Sequence, residues 1–149
     1  MNESNDTMYP STGEPPPKMI WPGLQYEDAR AAIAFLTDVF GFTETLVVSG
    51  ATEDVIEHAQ LMWPEGGGVM LGSKGREGNA HSQHVTGSVG VYVVTDRPDE
   101  VHERATAVGA TIFAAPEDTD YGSRSVTVLD PEGNAWTFGT YRGEPAPAS

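Results

Sequence analysis

The two halves of the chain carry the same order of structural signals, and this internal repeat constrains the fold more than any other feature. In each half a strand-like segment leads into an amphipathic helix, and three more strand-like segments follow. The turn sequence PEG precedes the last strand of both halves, at 64–66 and again at 131–133. The glycines that end the two helices, Gly41 and Gly109, are separated by nearly the same number of residues as the two PEG turns. The repeat predicts two tandem βαβββ units.

The pattern also gives the bounds of these elements. In the first unit, Asp28 is the predicted N-cap of a helix that ends at Gly41, and Asp96 leads into the helix of the second unit. The predicted strands are Met19–Tyr26, Thr43–Ser49, Val55–Trp63 and Gly68–Ser73, then Ser88–Thr95, Thr111–Ala114, Arg124–Leu129 and Ala135–Tyr141, with the second helix over Pro98–Val108. Two helices are too few for a doubly wound parallel sheet, and the hairpin turns require antiparallel pairs. The fold class is therefore α+β, with two curved mixed sheets.

The sequence predicts a single domain over residues 19–142, with units at about 19–73 and 88–142 and a Gly-rich linker at 74–87. Residues 1–18 are polar and rich in proline, which predicts a flexible leader, and 143–149 predict a flexible tail. No apolar run is long enough to span a bilayer, and no secretory signal is recognised at the start. Together with the absence of cysteine, these features predict a cytoplasmic protein.

Charge restricts the partners of this protein. The net charge is −14, and the chain has only eight Lys and Arg residues. Nucleic-acid binding depends on such residues to neutralise phosphates, and an anionic membrane surface repels an acidic protein. We therefore expect neither nucleic acid nor membrane as a partner, and a ligand that is neutral or cationic.

Three segments carry a resemblance to a known family: DARAAIAFLTDVFGF, EHAQLMWPEGGGVMLGS and YGSRSVTVLDPEGNAWTF. Together with the repeat they resemble the vicinal oxygen chelate superfamily, which includes glyoxalase I, extradiol dioxygenases, fosfomycin-resistance enzymes and bleomycin-binding proteins. The resemblance implies the glyoxalase/bleomycin resistance/dioxygenase fold, in which each unit curls into an open cup. It also implies a homodimer, with ligands held in clefts within one chain or between two.

In metal-dependent members of this superfamily, the first and last strands of each unit offer inward-facing ligands. The corresponding positions here are Trp21, Met70, Gly90 and Thr137, and none is a normal ligand for a hard or borderline divalent ion. Shifting the register by one or two residues reaches no His, Asp, Glu or Cys. The sequence therefore predicts no metal site and no cofactor.

The cups are predicted to hold a ligand instead. Strand alternation and the repeat place aromatic, methionine and neutral polar residues on one concave face, which is typical of a ligand pocket. The predicted ligand-binding residues are Trp21, Gln25, His58, Gln60, Met62, Met70, Tyr92, Tyr121 and Thr137. Any one of them has an alternative role in packing a core.

Histidines provide the alternatives to simple binding. His58 is the one candidate general base of the concave face, but alternation predicts that Glu57 points away from it. His81 and His84 have a metal-like spacing, but they lie in the Gly-rich linker, where covering a pocket mouth is the favoured role.

Three hypotheses about function follow. The first is a metal-independent small-molecule binding protein of the bleomycin-resistance type, which sequesters an aromatic or cationic drug or natural product. The alternative is a glyoxalase-like lyase or isomerase, or another enzyme, that uses His58 or a non-standard metal site. The third is a dimeric interaction module whose cups are filled by its own side chains.

Overall fold

The computed structural model describes residues 20–145 and 147. The strands and helices in chain order are β1 (Gly23–Tyr26), α1 (Ala29–Phe35, continued as a π-helical segment over Leu36–Phe40), β2 (Thr43–Ser49), β3 (Ile56–Met62), β4 (Gly68–Ser73), a 3₁₀ turn (His81–Gln83), β5 (Gly90–Val94), α2 (Pro98–Ala107), β6 (Ile112–Asp118), β7 (Arg124–Leu129) and β8 (Ala135–Gly139). The predicted leader and part of the predicted tail lie outside these residues.

Each unit forms one four-stranded mixed sheet. The strand orders are β1-β4-β3-β2 and β5-β8-β7-β6, with the first strand parallel to the last and the other pairs antiparallel. The identical order in the two sheets confirms the tandem βαβββ prediction and the α+β class. No helix among the described residues is long and apolar enough to cross a membrane.

Helix α1 begins and ends where the sequence predicts. The Asp28 carboxylate accepts a 3.0 Å hydrogen bond from the amide of Ala31, which satisfies a donor that the first helical turn leaves unpaired. Gly41 ends the helical segment with φ of 96°, a left-handed conformation that favours glycine. The amide of Gly41 donates to Leu36 O, the wider spacing of a π-turn.

The largest differences from the predicted strand bounds are at the start of β1 and at the end of β6. Strand β1 begins only at Gly23, because Pro22 lacks the amide hydrogen that a ladder uses, although its carbonyl still accepts from Met70 N at 2.9 Å. Strand β6 continues to Asp118, well past the predicted end at Ala114. Pro116 lies within this extension, and β6 is the edge of its sheet, where proline is tolerated.

An aromatic cluster packs between the two units and forms the centre of the core. Its members lie with ring centroids 4.7–5.7 Å apart and are Phe40, Phe42, Trp63, Trp136 and Phe138. The indole of Trp63 also donates a 2.9 Å hydrogen bond to Val94 O in the second unit. The cluster fills the helix-covered faces of the sheets, which leaves their concave faces outside the core.

Candidate functional site

The concave face of the first sheet carries the polar and aromatic residues that strand alternation predicts for it. The register pairs Gly23 with Met70 across β1 and β4, and Gln60 with Met70 across β4 and β3. Gln25 lies beside Gly72 one step along the sheet, and Met62 lies beside Gly68 one step the other way. Residues two apart share a face, so these pairs form three successive rows across the cup.

Each row contains a glycine, and the neighbours of these glycines differ. A methyl group at Gly68 would lie 2.9 Å from Trp21 Cζ3 and 3.2 Å from Met62 Sδ. A methyl group at Gly72 would lie 2.7 Å from Arg76 Nη2. Above Gly23, by contrast, nothing lies within 4 Å of that position. The empty place on this face is therefore above Gly23.

A pocket of about 290 Å³ occupies this part of the cup. Its lining residues are Trp21, Gly23, Gln25, Glu57, His58, Met70, Leu71, Arg76, Asn79 and His81. The volume is at the small end of the range of about 300–1,000 Å³ that is typical of ligand pockets. Four of the predicted site residues thus lie together in one pocket: Trp21, Gln25, His58 and Met70.

Gln25 and Arg76 are polar residues that the fold buries in this pocket. Gln25 is 9% exposed, and its Oε1 atom has no hydrogen-bond partner. The Arg76 side chain is 11% exposed, and its Nη1 atom forms no aligned hydrogen bond although it lies 3.1 Å from Glu57 Oε1. Buried polar groups are nearly always hydrogen-bonded, so two unsatisfied atoms in one pocket need an explanation.

Arg76 reaches the cup from the linker between the two units. Its Nε donates a 2.8 Å hydrogen bond to Ser73 O, and its own carbonyl accepts from the Ser82 hydroxyl at 2.7 Å. Because Gly72 has no side chain, the guanidinium is able to lie over the sheet at that point. Sequence reasoning did not identify Arg76, since it lies in a Gly-rich segment without periodicity.

Glu57 is nearer to His58 than the alternation of side chains suggests. Both residues line the same pocket, and Arg76 lies against the Glu57 carboxylate. Burial lowers the pKa of His58 below its usual value, the Arg76 charge lowers it further, and the Glu57 charge opposes this shift. The expectation that Glu57 and His58 face different environments is wrong at this end of β3, where a register shift between Val48 and Ser49 disturbs the pairing with β2.

His58 also contacts Gln60 on the same strand. The Gln60 Nε2 and His58 Nε2 atoms are 3.2 Å apart, and a side-chain amide nitrogen is able only to donate. In this arrangement His58 Nε2 accepts, and the proton of the neutral imidazole is on Nδ1. The basic nitrogen of His58 is therefore engaged by Gln60.

The linker covers one side of the pocket, as the sequence analysis favoured. Asn79 and His81 contribute to the lining, and the His81 and His84 rings meet edge to face with centroids 5.9 Å apart. Asn79 Oδ1 accepts hydrogen bonds from the amides of His81 and Ser82, which fixes the 3₁₀ turn.

Of the other predicted site residues, Gln60 and Met62 lie on β3 of the first sheet, Tyr92 and Thr137 lie on the second sheet, and Tyr121 lies in the turn between β6 and β7. The Tyr92 hydroxyl donates a 2.8 Å hydrogen bond to Tyr141 O, and its ring covers Gly139. Thr137 and Thr127 share a 2.8 Å hydrogen bond between their hydroxyl groups. Tyr121 stacks edge to face on Tyr141. Tyr92, Thr137 and Tyr121 each contact a neighbour in the second unit, and none of the three lines the pocket of the first cup.

The metal positions of the superfamily are occupied by residues that do not fit a divalent ion. The register places Met70 beside Gly23, and it places Thr137 beside Tyr92 in the second unit. In residues 20–145 and 147, no three His, Cys, Asp or Glu groups lie close enough to hold a metal ion.

The fold and this site define the class of protein. Residues 18–138 match the model of the Glyoxalase/Bleomycin resistance protein/Dioxygenase superfamily, and the chain belongs to that superfamily. No curated protein matches the chain significantly.

Several solved structures are similar to this chain. TioX from Micromonospora sp. ML1 is 32% identical with a TM-score of 0.70, and the match covers 82% of this chain and 97% of TioX. Lactoylglutathione lyase from Agrobacterium tumefaciens is 24% identical with a TM-score of 0.57, and the match covers 84% and 94% of the two chains. A superfamily member from Sphaerobacter thermophilus DSM 20745 is 18% identical with a TM-score of 0.61, covering 82% and 97%. The last two similarities bear on the fold alone.

Proposed function

We propose that this protein is a metal-independent small-molecule binding protein of the bleomycin-resistance type, and that it holds a flat aromatic molecule in the first cup. The open place above Gly23 is the observation that carries the proposal. Trp21 and Met70 border this place on the same concave face as Gln25, so apolar surface and hydrogen-bonding groups meet there. Pockets with apolar walls and a few polar groups are the usual form of small-molecule sites.

Binding is a better account of this site than catalysis. A general base needs a free basic nitrogen within reach of the substrate, and Gln60 engages Nε2 of His58. Burial and Arg76 also lower the pKa of His58, which makes it a weaker base. A lyase or isomerase acting through His58 is the alternative, and it requires turnover that depends on this residue.

A neutral ligand fits the cup better than a cationic one. The overall charge of −14 favours cations at long range, but it places no uncompensated negative charge in the pocket lining. Glu57 pairs with Arg76, so the two charged side chains of the lining cancel. An uncharged aromatic molecule meets no electrostatic penalty at this place.

The test uses three bicyclic probes, quinoline, 2-methoxyquinoline and 2-quinolone, measured by calorimetry against the purified protein. We expect saturable binding of at least one probe, a shift of the Trp21 indole NMR signal, and recovery of the probe unchanged. Gly23→Leu fills the open place without backbone strain and is expected to abolish binding.

Gly90→Leu is the matched control for this variant. Gly90 begins β5 as Gly23 begins β1, and it too has nothing within 4 Å of the added carbon. Equal binding by the two variants, or failure of all three probes to bind the wild-type protein, would overturn the proposal. One equivalent of tightly held divalent metal per chain in the purified protein contradicts its metal-independent part.

The homodimer implied by the resemblance stays a prediction. Sedimentation equilibrium of the purified chain is the measurement, and a mass of twice 15.9 kDa is the expected result.

A further inference from the structure

We infer that the molecule bound above Gly23 is uncharged and planar and carries a hydrogen-bond donor beside an acceptor on one edge, as in a lactam. This inference rests on the proposed function, since it names the chemistry of the ligand for the same pocket. It depends on two buried atoms of the pocket lining, Gln25 Oε1 and Arg76 Nη1, which form no aligned hydrogen bond within the protein.

The sheet register brings the two side chains to the same end of the cup. Gln25 pairs with Gly72, and the Arg76 guanidinium lies over Gly72. Adjacent strands are about 4.8 Å apart, so the Gln25 side chain and the guanidinium lie side by side at one end of the cup. Gly23 is two residues from Gln25 on the same face, which places the open space directly beside this pair.

The two atoms have complementary needs. Gln25 Oε1 is an acceptor without a donor, and Arg76 Nη1 is a donor without an aligned acceptor. A ligand edge with one N–H and one C=O satisfies both atoms at once. A ligand that only accepts leaves the Gln25 oxygen unpaired, and one that only donates leaves the arginine nitrogen unpaired.

The charges of Glu57 and Arg76 exclude an anionic ligand as the best partner for this pocket. Glu57 already lies 3.1 Å from Arg76 Nη1 and is half exposed. A second carboxylate at this place would be repelled by Glu57 and would leave Gln25 Oε1 unsatisfied. A neutral edge leaves the ion pair intact and adds the hydrogen bonds that it lacks.

Solvent reaches neither atom in the ligand-free protein, so the Arg76 side chain shifts when the ligand enters. Its guanidinium is a rigid plane that is attached to the loop by the Nε bond to Ser73 O, so it shifts as a unit. At the other end of the cup, Trp21 provides an aromatic surface for the ligand ring.

The experiment compares three probes by calorimetry on the full chain. The first, 2-quinolone, has an N–H beside a C=O, whereas 2-methoxyquinoline has the same rings without the donor, and 2-naphthoate carries a carboxylate. We expect 2-quinolone to bind about tenfold or more tightly than each of the others, the effect of one well-formed hydrogen bond in a buried site.

Variants assign this preference to the two residues. Gln25→Leu is expected to reduce the preference for 2-quinolone over 2-methoxyquinoline to less than about threefold, and Arg76→Met is expected to weaken the binding of both probes, because both accept a hydrogen bond. Lys74→Met is the matched control, since it removes a positive charge from the same linker but not from the pocket lining. It is expected to keep the full preference.

The possible results separate the inference from the proposed function. Equal affinity of wild-type protein for 2-quinolone and 2-methoxyquinoline overturns the inference but leaves a small-molecule binding protein. Tightest binding of 2-naphthoate also overturns it, in favour of Arg76 as an anion-binding group. Preservation of the preference in Gln25→Leu, or unchanged binding of both probes by Arg76→Met, shows that the selected atoms lie elsewhere. Failure of every probe overturns the proposed function as well.

Discussion

The hydroxyl of Tyr26 donates a 2.6 Å hydrogen bond to Oδ2 of Asp130, a residue 104 positions later in the chain. This bond joins the first strand of one unit to the last turn of the other. Asp130 is buried, and its carboxylate also accepts from Asn134 Nδ2, Trp136 Nε1 and the amides of Glu132 and Asn134. Burial raises the pKa of Tyr26 well above its usual range, and the Asp130 charge reinforces the shift. The tyrosine therefore stays a donor at every ordinary pH.

Tyr26→Phe is expected to destabilise the protein by about 2 kcal/mol, because it removes a buried hydrogen bond to a charged acceptor. For a chain of this size the melting temperature should fall by roughly 4–8 °C. Thermal unfolding by calorimetry measures the effect. Tyr121→Phe is the control, because Tyr121 is 67% exposed, and it should change the stability by less than about 0.5 kcal/mol. Equal effects of the two variants would contradict the importance of this bond.

A second link between the units involves the start of α1. The two carboxylate oxygens of Glu132 accept 2.8 Å hydrogen bonds from the amides of Glu27 and Asp28. A negative charge at a helix N-terminus is favourable, and both amides would otherwise lack an intrahelical partner. Glu132→Gln replaces one acceptor by a donor and removes the charge, and we expect a loss of about 1 kcal/mol that becomes smaller in high salt.

The repeat provides the control for this prediction. Glu65 occupies the same place in the first PEG turn and is exposed. Glu65→Gln should leave the free energy of unfolding in urea within about 0.5 kcal/mol of the wild type. The explanation fails if Glu132→Gln shows no greater loss than Glu65→Gln.

The fold and the composition of the concave face were predictable because both follow from short-range patterns. Period-two alternation places Gln60 and Met70 on one face of the sheet, and the glycine at position 41 ends α1. Such features depend on residues a few positions apart. The repeat then extends them from one unit to the other.

Contacts between distant segments were not predictable in the same way. Asp130 directly precedes the second PEG turn, but its partner Tyr26 lies in the other unit. Arg76 enters the pocket only because the linker folds back over Gly72. Tyr121 was grouped with the cup residues, yet it stacks on Tyr141 beyond the first pocket. No short-range sequence pattern predicts these contacts between distant segments.

The environment of His58 gives a prediction about pH. Burial and Arg76 lower the pKa of His58, so the unfolded chain binds more protons than the folded protein as the pH falls below about 6.5. The stability that His58 contributes is thus present above that pH and is lost as the pH falls through the folded pKa. His58→Gln should make the decline in stability below pH 6.5 less steep than in the wild type, as measured by urea unfolding across the pH range.

An NMR titration of the His58 ring directly tests how the neighbouring charges shift the pKa of His58. Arg76→Met removes the nearby positive charge and should raise the pKa of His58, whereas Glu57→Gln should lower it further. Lys74→Met should leave it unchanged, because Lys74 pairs with Glu27 outside the pocket. Shifts of the same sign in the Arg76 and Glu57 variants are incompatible with this electrostatic account.

The Oε1 atom of Gln25 is expected to lower the stability of the ligand-free protein and to strengthen the binding of the ligand. Its Oε1 is buried without a partner, and an unsatisfied buried acceptor costs about 1–3 kcal/mol. Gln25→Leu removes this atom and should stabilise the ligand-free protein by about 1 kcal/mol, seen as a higher melting temperature. The same variant should lose the further rise that 2-quinolone produces in the wild type. Gln60→Leu is the matched control: Gln60 has a partner in His58, so its replacement should bring no gain in stability. A Gln25→Leu protein less stable than the wild type would show that this side chain serves the fold, and the assignment of its oxygen to a ligand would then be abandoned.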